Sequence, residues 1–136
     1  MAIEIAATGR VAMTDALLAL ADGGNLHILA GASQDPDDAP VGTLLVNFVL
    51  PSPAYGGAVD NGTRALATAN PIASVNAAAT GTAARYRILN SGAEVIMEGT
   101  VGLSGSGADM IIDATSITIG VQQNLNSLTH QGDQTR

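Results

Sequence analysis

The sequence predicts an all-β protein, an antiparallel β-sandwich of jelly-roll type with one short N-terminal helix, on three observations. Hydrophobic periodicity changes from helical to alternating after Gly23-Gly24. Short apolar runs then recur between turn signals at roughly eight-to-twelve-residue spacing, the pattern of a sandwich or barrel. No fixed-period repeat runs through the chain, which argues against a propeller or solenoid.

The helix is expected between Thr8 and Ala21, where Val11, Leu17, Leu18 and Leu20 recur among alanines. Thr8 or Thr14 would cap its start, and Gly23-Gly24 would end it in the left-handed conformation. Leu26 and Ile28 then alternate with His27 and Leu29, and Leu44, Val46, Phe48 and Leu50 alternate with Leu45, Asn47 and Val49, giving two strands, the second apolar on both faces. Gly31–Gly42 and Pro51–Gly57, rich in proline, glycine, aspartate and serine, read as exposed loops. Asp60-Asn61-Gly62 predicts a tight turn into a strand from Thr63 to Thr68, and Asn90-Ser91-Gly92 a hairpin joining Thr82–Leu89 to Ala93–Glu98. In the first strand of that hairpin Ala84, Tyr86 and Ile88 face one way, toward a core, and Arg85 and Arg87 the other, toward solvent or a partner. After the Gly99–Gly107 linker, Asp109–Asp113 and the alternation of Ile117, Ile119 and Val121 predict two last strands. The chain then turns polar, so a single domain over residues 1–136 with flexible ends at about 1–7 and 129–136 is expected.

Composition narrows the function. Hydrophobic residues make up 46% of the 136 positions but aromatics only 2%, so the core must be close-packed aliphatic side chains with little stacking surface. Five Arg, no lysine and twelve acidic residues give a formal charge of −7, which repels phosphate backbones and anionic membranes; neither nucleic acid nor membrane is an expected partner. The absence of cysteine removes disulfides, thiolate metal sites and cysteine nucleophiles. No stretch has the makings of a signal peptide or an apolar membrane span, so synthesis and retention in the cytoplasm are expected.

The residues that could carry chemistry do not form a recognisable constellation. His27 and His130 are the only histidines; one falls in a predicted strand and the other in the polar tail. Gly102-Leu-Ser-Gly-Ser106 resembles a nucleophile elbow superficially, but serine stands where the last glycine belongs and no α/β pattern surrounds it. Gly105-Ser-Gly107 lacks the lysine and helix of a phosphate loop. The acidic run Asp35-Pro-Asp-Asp38 lacks an EF-hand's ligand rhythm and reads as a solvated loop. Asp109 and Asp113, four apart on a strand, share a face too far apart to act on one bond. Asn61-Gly-Thr63 is read as a turn and not as a glycosylation site. No enzyme activity, cofactor or metal is expected. Arg85 and Arg87 are the candidate partner contact, with pairing to acids inside the sheet as the plainer reading.

Several segments together carry a resemblance. The helix Thr8-Gly-Arg-Val-Ala-Met-Thr-Asp-Ala-Leu-Leu18, then Gly23-Gly-Asn-Leu-His-Ile-Leu-Ala-Gly31, Gly42-Thr-Leu-Leu-Val46, Pro53-Ala-Tyr-Gly56 and Ala79-Thr-Gly-Thr-Ala-Ala-Arg-Tyr-Arg-Ile88 are similar to small virion proteins encoded among the head genes of tailed bacteriophages. Such proteins include jelly-roll decoration, or cement, proteins. The resemblance implies a structural virion protein on the outer surface of the capsid, assembled in the host cytoplasm. Its implied partners are the major capsid protein and other copies of itself, a homodimer first and a trimer second. A tail, neck or head-tail adaptor subunit, and a small-ligand or carbohydrate-binding jelly roll, are the alternative readings.

Overall fold

The computed structural model describes residues 5–31, 36–39, 41–62, 64–108, 110–112 and 114–132. The described chain is mostly β, with one short helix and a curled, half-barrel sheet. The helix α1 spans Ala7–Ala19, and the strands are β1 (Asn25–Leu29), β2 (Leu44–Val49), β3 (Val59–Asp60), β4 (Ala65–Thr68), β5 (Val75–Asn76), β6 (Gly81–Thr82), β7 (Arg85–Leu89), β8 (Val95–Gly102), β9 (Met110–Ile112), β10 (Ser116–Ile117), β11 (Gln122–Gln123) and β12 (Leu125–Gly132). Eight of them form one sheet in the order β2-β1-β7-β8-β9-β12-β4-β3, and β10 with β6 and β11 with β5 form two small ladders. Every pairing is antiparallel except the short parallel contact of β8 with β9, where Val101 lies beside Met110 and Gly102 beside Ile111.

The inner face of the curl holds the core. Leu26, Ile28, Val46, Phe48, Tyr86 and Ile88 from one end of the sheet meet Ala67, Met110, Ile112 and Leu128 from the other. Helix α1 closes the far end, packing on β3, β4 and β12 with Thr14, Leu18 and the following Ala21 turned inward. Its buried stripe is therefore narrow, and Met13 and Leu20 face outward. The N-cap position is Ala6 and makes no side-chain cap, so neither Thr8 nor Thr14 caps the helix: Thr8 lies inside it and Thr14 is buried in its packed face. The C-terminal end follows expectation, with Gly23 at φ 69°. Gly24 packs so closely that a Cβ there would lie 1.9 Å from the Leu89 carbonyl oxygen.

Both turn-based hairpins form. Asn90 nucleates the β7–β8 turn, its side-chain oxygen accepting from Gly92 N–H and Glu94 N–H at 2.9 Å each. At the other hairpin Asn61 N–H donates to Arg64 O and Asn61 Oδ1 accepts from Arg64 N–H. Two expectations are corrected near the C-terminus. Ile117–Val121 is not one strand: Ile117 is buried in the β10–β6 ladder, while a turn at Thr118–Val121 leaves Ile119 and Val121 exposed. The chain from Thr129 to Gly132 is not a loose end either, because β12 is inserted between β9 and β4, with Thr129 opposite Thr68 and Gly132 opposite Ala65. Pairing with β4 holds Thr129–Gly132, a stretch with no apolar residue to signal a strand. The expected ends at 1–4 and 133–136 lie outside the described residues.

Candidate functional site

Register across the first four strands decides what the outer face carries. The Asn90 turn sets Arg87 opposite Glu98 and Arg85 opposite Thr100, while β1 sets His27 opposite Arg87 and β2 sets Asn47 opposite His27. Because side chains alternate along a strand, Asn47, His27, Arg87 and Glu98 form one row across the outer face. That face is not a wet surface around the arginines: Arg85 is 0% and Arg87 1% exposed. Both are roofed by residues 36–39 and 41–42 of the connection between β1 and β2.

The guanidinium groups hold that loop by its backbone. Arg85 Nη1 donates to Ala30 O at 2.8 Å and its Nη2 donates to Val41 O; Arg87 Nη1 donates to Asp38 O at 2.8 Å. Glu98 supplies the counter-charge, with Oε1 accepting from Arg87 Nε at 2.8 Å and lying 3.4 Å from Arg85 Nε. Two cations thus share one buried carboxylate and use peptide carbonyls for the rest, the kind of charge-assisted bonding that makes burial of arginine tolerable. The loop closes at its base through Ala30 N–H to Thr43 O, and only glycine suits position 42: φ is 93° and a Cβ would stand 2.2 Å from Ala30 O. Pairing within the sheet is therefore what Arg85 and Arg87 do in the structure, and their side chains are not at a surface where a partner would meet them.

A second loop is fixed by the opposite charge. Asp22 accepts from Ala54 N–H at 2.8 Å and Asp15 from Ala58 N–H at 2.9 Å, so the C-terminal half of α1 and the turn after it grip the chain at 54–58. Arg10 completes this end with a two-pronged pair to Asp60, Nε to Oδ1 at 2.8 Å and Nη2 to Oδ2 at 3.0 Å. The hydrogen bond to Arg10 holds the Asp60 carboxyl below the usual carboxylate range. Between α1 and this loop lies a shallow cleft of about 220 Å³ lined by Asp15, Leu18, Asp22, Pro53 and Tyr55. The Tyr55 hydroxyl is buried without a hydrogen-bond partner, and desolvation, with Tyr86 nearby, pushes its pKa up.

The remaining sequence candidates do not converge. His27 is half-buried, and desolvation lowers its pKa; the backbone of His130 lies in β12 opposite Ala67. Ser104 and Ser106 are exposed in the β8–β9 connection. Asp37 and Asp38 are exposed on the roofing loop, and Asp35, Asp109 and Asp113 lie outside the described residues. Among the described residues no three His, Asp or Glu side chains gather as a metal site, and no helix is long and apolar enough to cross a membrane.

Sequence reasoning gave no role to Glu98, Arg10, Asp15 or Asp22, and gave Asp60 a turn but not its ion pair with Arg10. One of these was within reach: the Asn90 hairpin register alone places Glu98 across from Arg87. The helix contacts span from 32 to 50 residues of separation and had no local signal. No protein-family model matches this chain, and neither a curated protein nor a solved structure is significantly similar to it.

Proposed function

We propose that this chain is a structural virion protein, without enzymatic activity, that binds the outside of a tailed-phage capsid in many copies and stabilises the shell. The observation that carries the reading is the fixing of its loops. In the connection between β1 and β2 the Asp38 and Val41 carbonyls are held from beneath by buried arginines, and 54–58 is held from the side by Asp15 and Asp22, so both connections are anchored by side chains of the chain itself. A module that reinforces by contact profits from such preorganisation, because little ordering entropy is left to lose on binding and symmetry multiplies each modest contact. The acidic charge of −7 keeps unbound copies soluble and away from packaged DNA. The major capsid protein and further copies of the chain are the partners this reading requires.

The finer fold belongs to the same proposal. A jelly-roll sandwich would have β2-β1-β7-β8 and β9-β12-β4-β3 as its two leaves. Supporting this, pairing within each leaf is antiparallel, and the strand ladders of the two leaves join through the two-residue parallel contact of β8 with β9 while their inner faces share one core.

The test is to prepare heads lacking this protein and add it back. Saturable co-sedimentation with the heads, together with greater resistance of the filled heads to heat, is the expected result. Failure to bind, or localisation of the protein to the tail or neck of the native particle, rejects the proposal and favours the adaptor reading.

A further inference from the structure

We propose that two copies of this chain associate through the flank that carries Leu44, Val49, Ile119 and Val121. β2 is an end strand of the eight-stranded sheet, and two further segments extend beyond it. Residues 75–82 lie along β2, with Ala78 N–H donating to Leu45 O at 2.7 Å and Gly81 packed against the Leu45 side chain. Residues 115–123 lie against 75–83 in turn, through the β10–β6 and β11–β5 ladders and the bonds Ala83 N–H to Thr115 O and Ala77 N–H to Val121 O. On this flank Val49 is 62%, Ile119 60%, Val121 51% and Leu44 36% exposed. Leu45 is fully buried under Gly81 and takes no part.

Charge identifies the occupant. The segments that build the flank, residues 44–49, 75–83 and 115–123, contain no Asp, Glu, Lys or Arg, although the chain carries a formal −7. Among the described residues the exposed or half-buried acids lie elsewhere: Asp15, Asp22 and Asp60 at the helix end, Asp37 and Asp38 on the roofing loop, Glu94 at a hairpin tip. Two copies meeting through any of those regions would oppose like charges, whereas meeting through the flank keeps them apart. A basic partner would be steered to the acidic regions instead. A second copy seated by a two-fold axis buries the same apolar side chains from both sides and closes without leaving a sticky face. This inference does not depend on a capsid role.

Analytical ultracentrifugation of the full chain across the micromolar range tests it. The wild type should sediment as a dimer. Val49→Asp with Val121→Asp should be monomeric with unchanged circular dichroism, and the milder Val49→Thr with Val121→Thr should weaken association by about tenfold or more. Met13→Glu with Leu20→Glu, at outward apolar positions on the helix, should leave the dimer intact. A wild type that is monomeric throughout, a trimer, a dimer indifferent to the threonine pair, or one abolished by the helix pair would each overturn the proposal. A monomeric wild type would leave the flank to a different protein.

Discussion

The two ends of the curled sheet fix a long loop by opposite means. At the β2-β1-β7-β8 end the charge is cationic and buried: Arg85 and Arg87 reach loop carbonyls from below, with Glu98 5% exposed beside them. At the helix end it is largely anionic and nearer solvent: Asp15 and Asp22 accept from loop N–H groups, and Arg10 with Asp60 sits at 11% and 15% side-chain exposure. A buried charge costs several kcal/mol to desolvate and must be matched, so the first arrangement is all-or-none; a rim charge is backed by water and yields gradually. The difference teaches where each loop's rigidity comes from, and it can be broken at either end.

The largest effect is expected from Glu98→Gln, which keeps the shape but leaves two buried guanidinium groups without their counter-charge. A loss of about 3–5 kcal/mol is expected, read as a fall in the urea midpoint at constant m-value. Replacing Arg85, Arg87 and Glu98 together by Met should recover most of that loss, while the backbone amides around residues 36–42 lose their protection from hydrogen exchange. If the triple variant kept that loop protected, the arginines would not be what holds it.

At the helix end, Asp22→Ala removes the acceptor of the Ala54 N–H and should cost about 1.5–3 kcal/mol, with Ala54 exchanging faster and residues 36–42 unchanged. Tyr55→Phe should go the other way. Its hydroxyl is buried without a partner, so removing it is expected to be neutral or to stabilise by up to about 1 kcal/mol, measured as a rise in Tm.

Acid titration should separate the two ends with the smallest changes. His27, in the arginine row, has its pKa lowered by burial: the unfolded chain takes up this proton first, so the stability is complete above about pH 6.5 and is lost as pH falls through the folded value. Asp60, also lowered, contributes stability that is complete above about pH 4 and is lost only below that, as its folded value is passed. His27→Gln should flatten the upper window alone and Asp60→Asn the lower one alone. Salt should shrink the second more than the first, since it lies at the rim.

Legibility in the sequence followed the range of the interaction. The Asn90-Ser-Gly92 and Asp60-Asn-Gly62 turns were readable because an Asx side chain bonds backbone within two to four residues, and both hairpins stand where those turns put them. The helix was readable in extent but not in its start, because Thr14 satisfies packing and not a cap. Thr129–Gly132 was unreadable, since its strand character comes from pairing with β4 and not from any apolar residue of its own.

The sequence by itself determined the class of the protein: alternation and turn chemistry are local, so a mainly β chain with one N-terminal helix followed from the residues alone. It determined as well that the core would be aliphatic and the exterior acidic. Only the tertiary structure decided that Arg85 and Arg87 are interior, because alternation tells which side chains share a face but not what covers that face. The cover is a loop more than 40 residues away in sequence, joined through Val41 and Asp38 carbonyls. Backbone carbonyls are present at every position and mark no sequence, so a site built from them becomes visible only when the chain is folded.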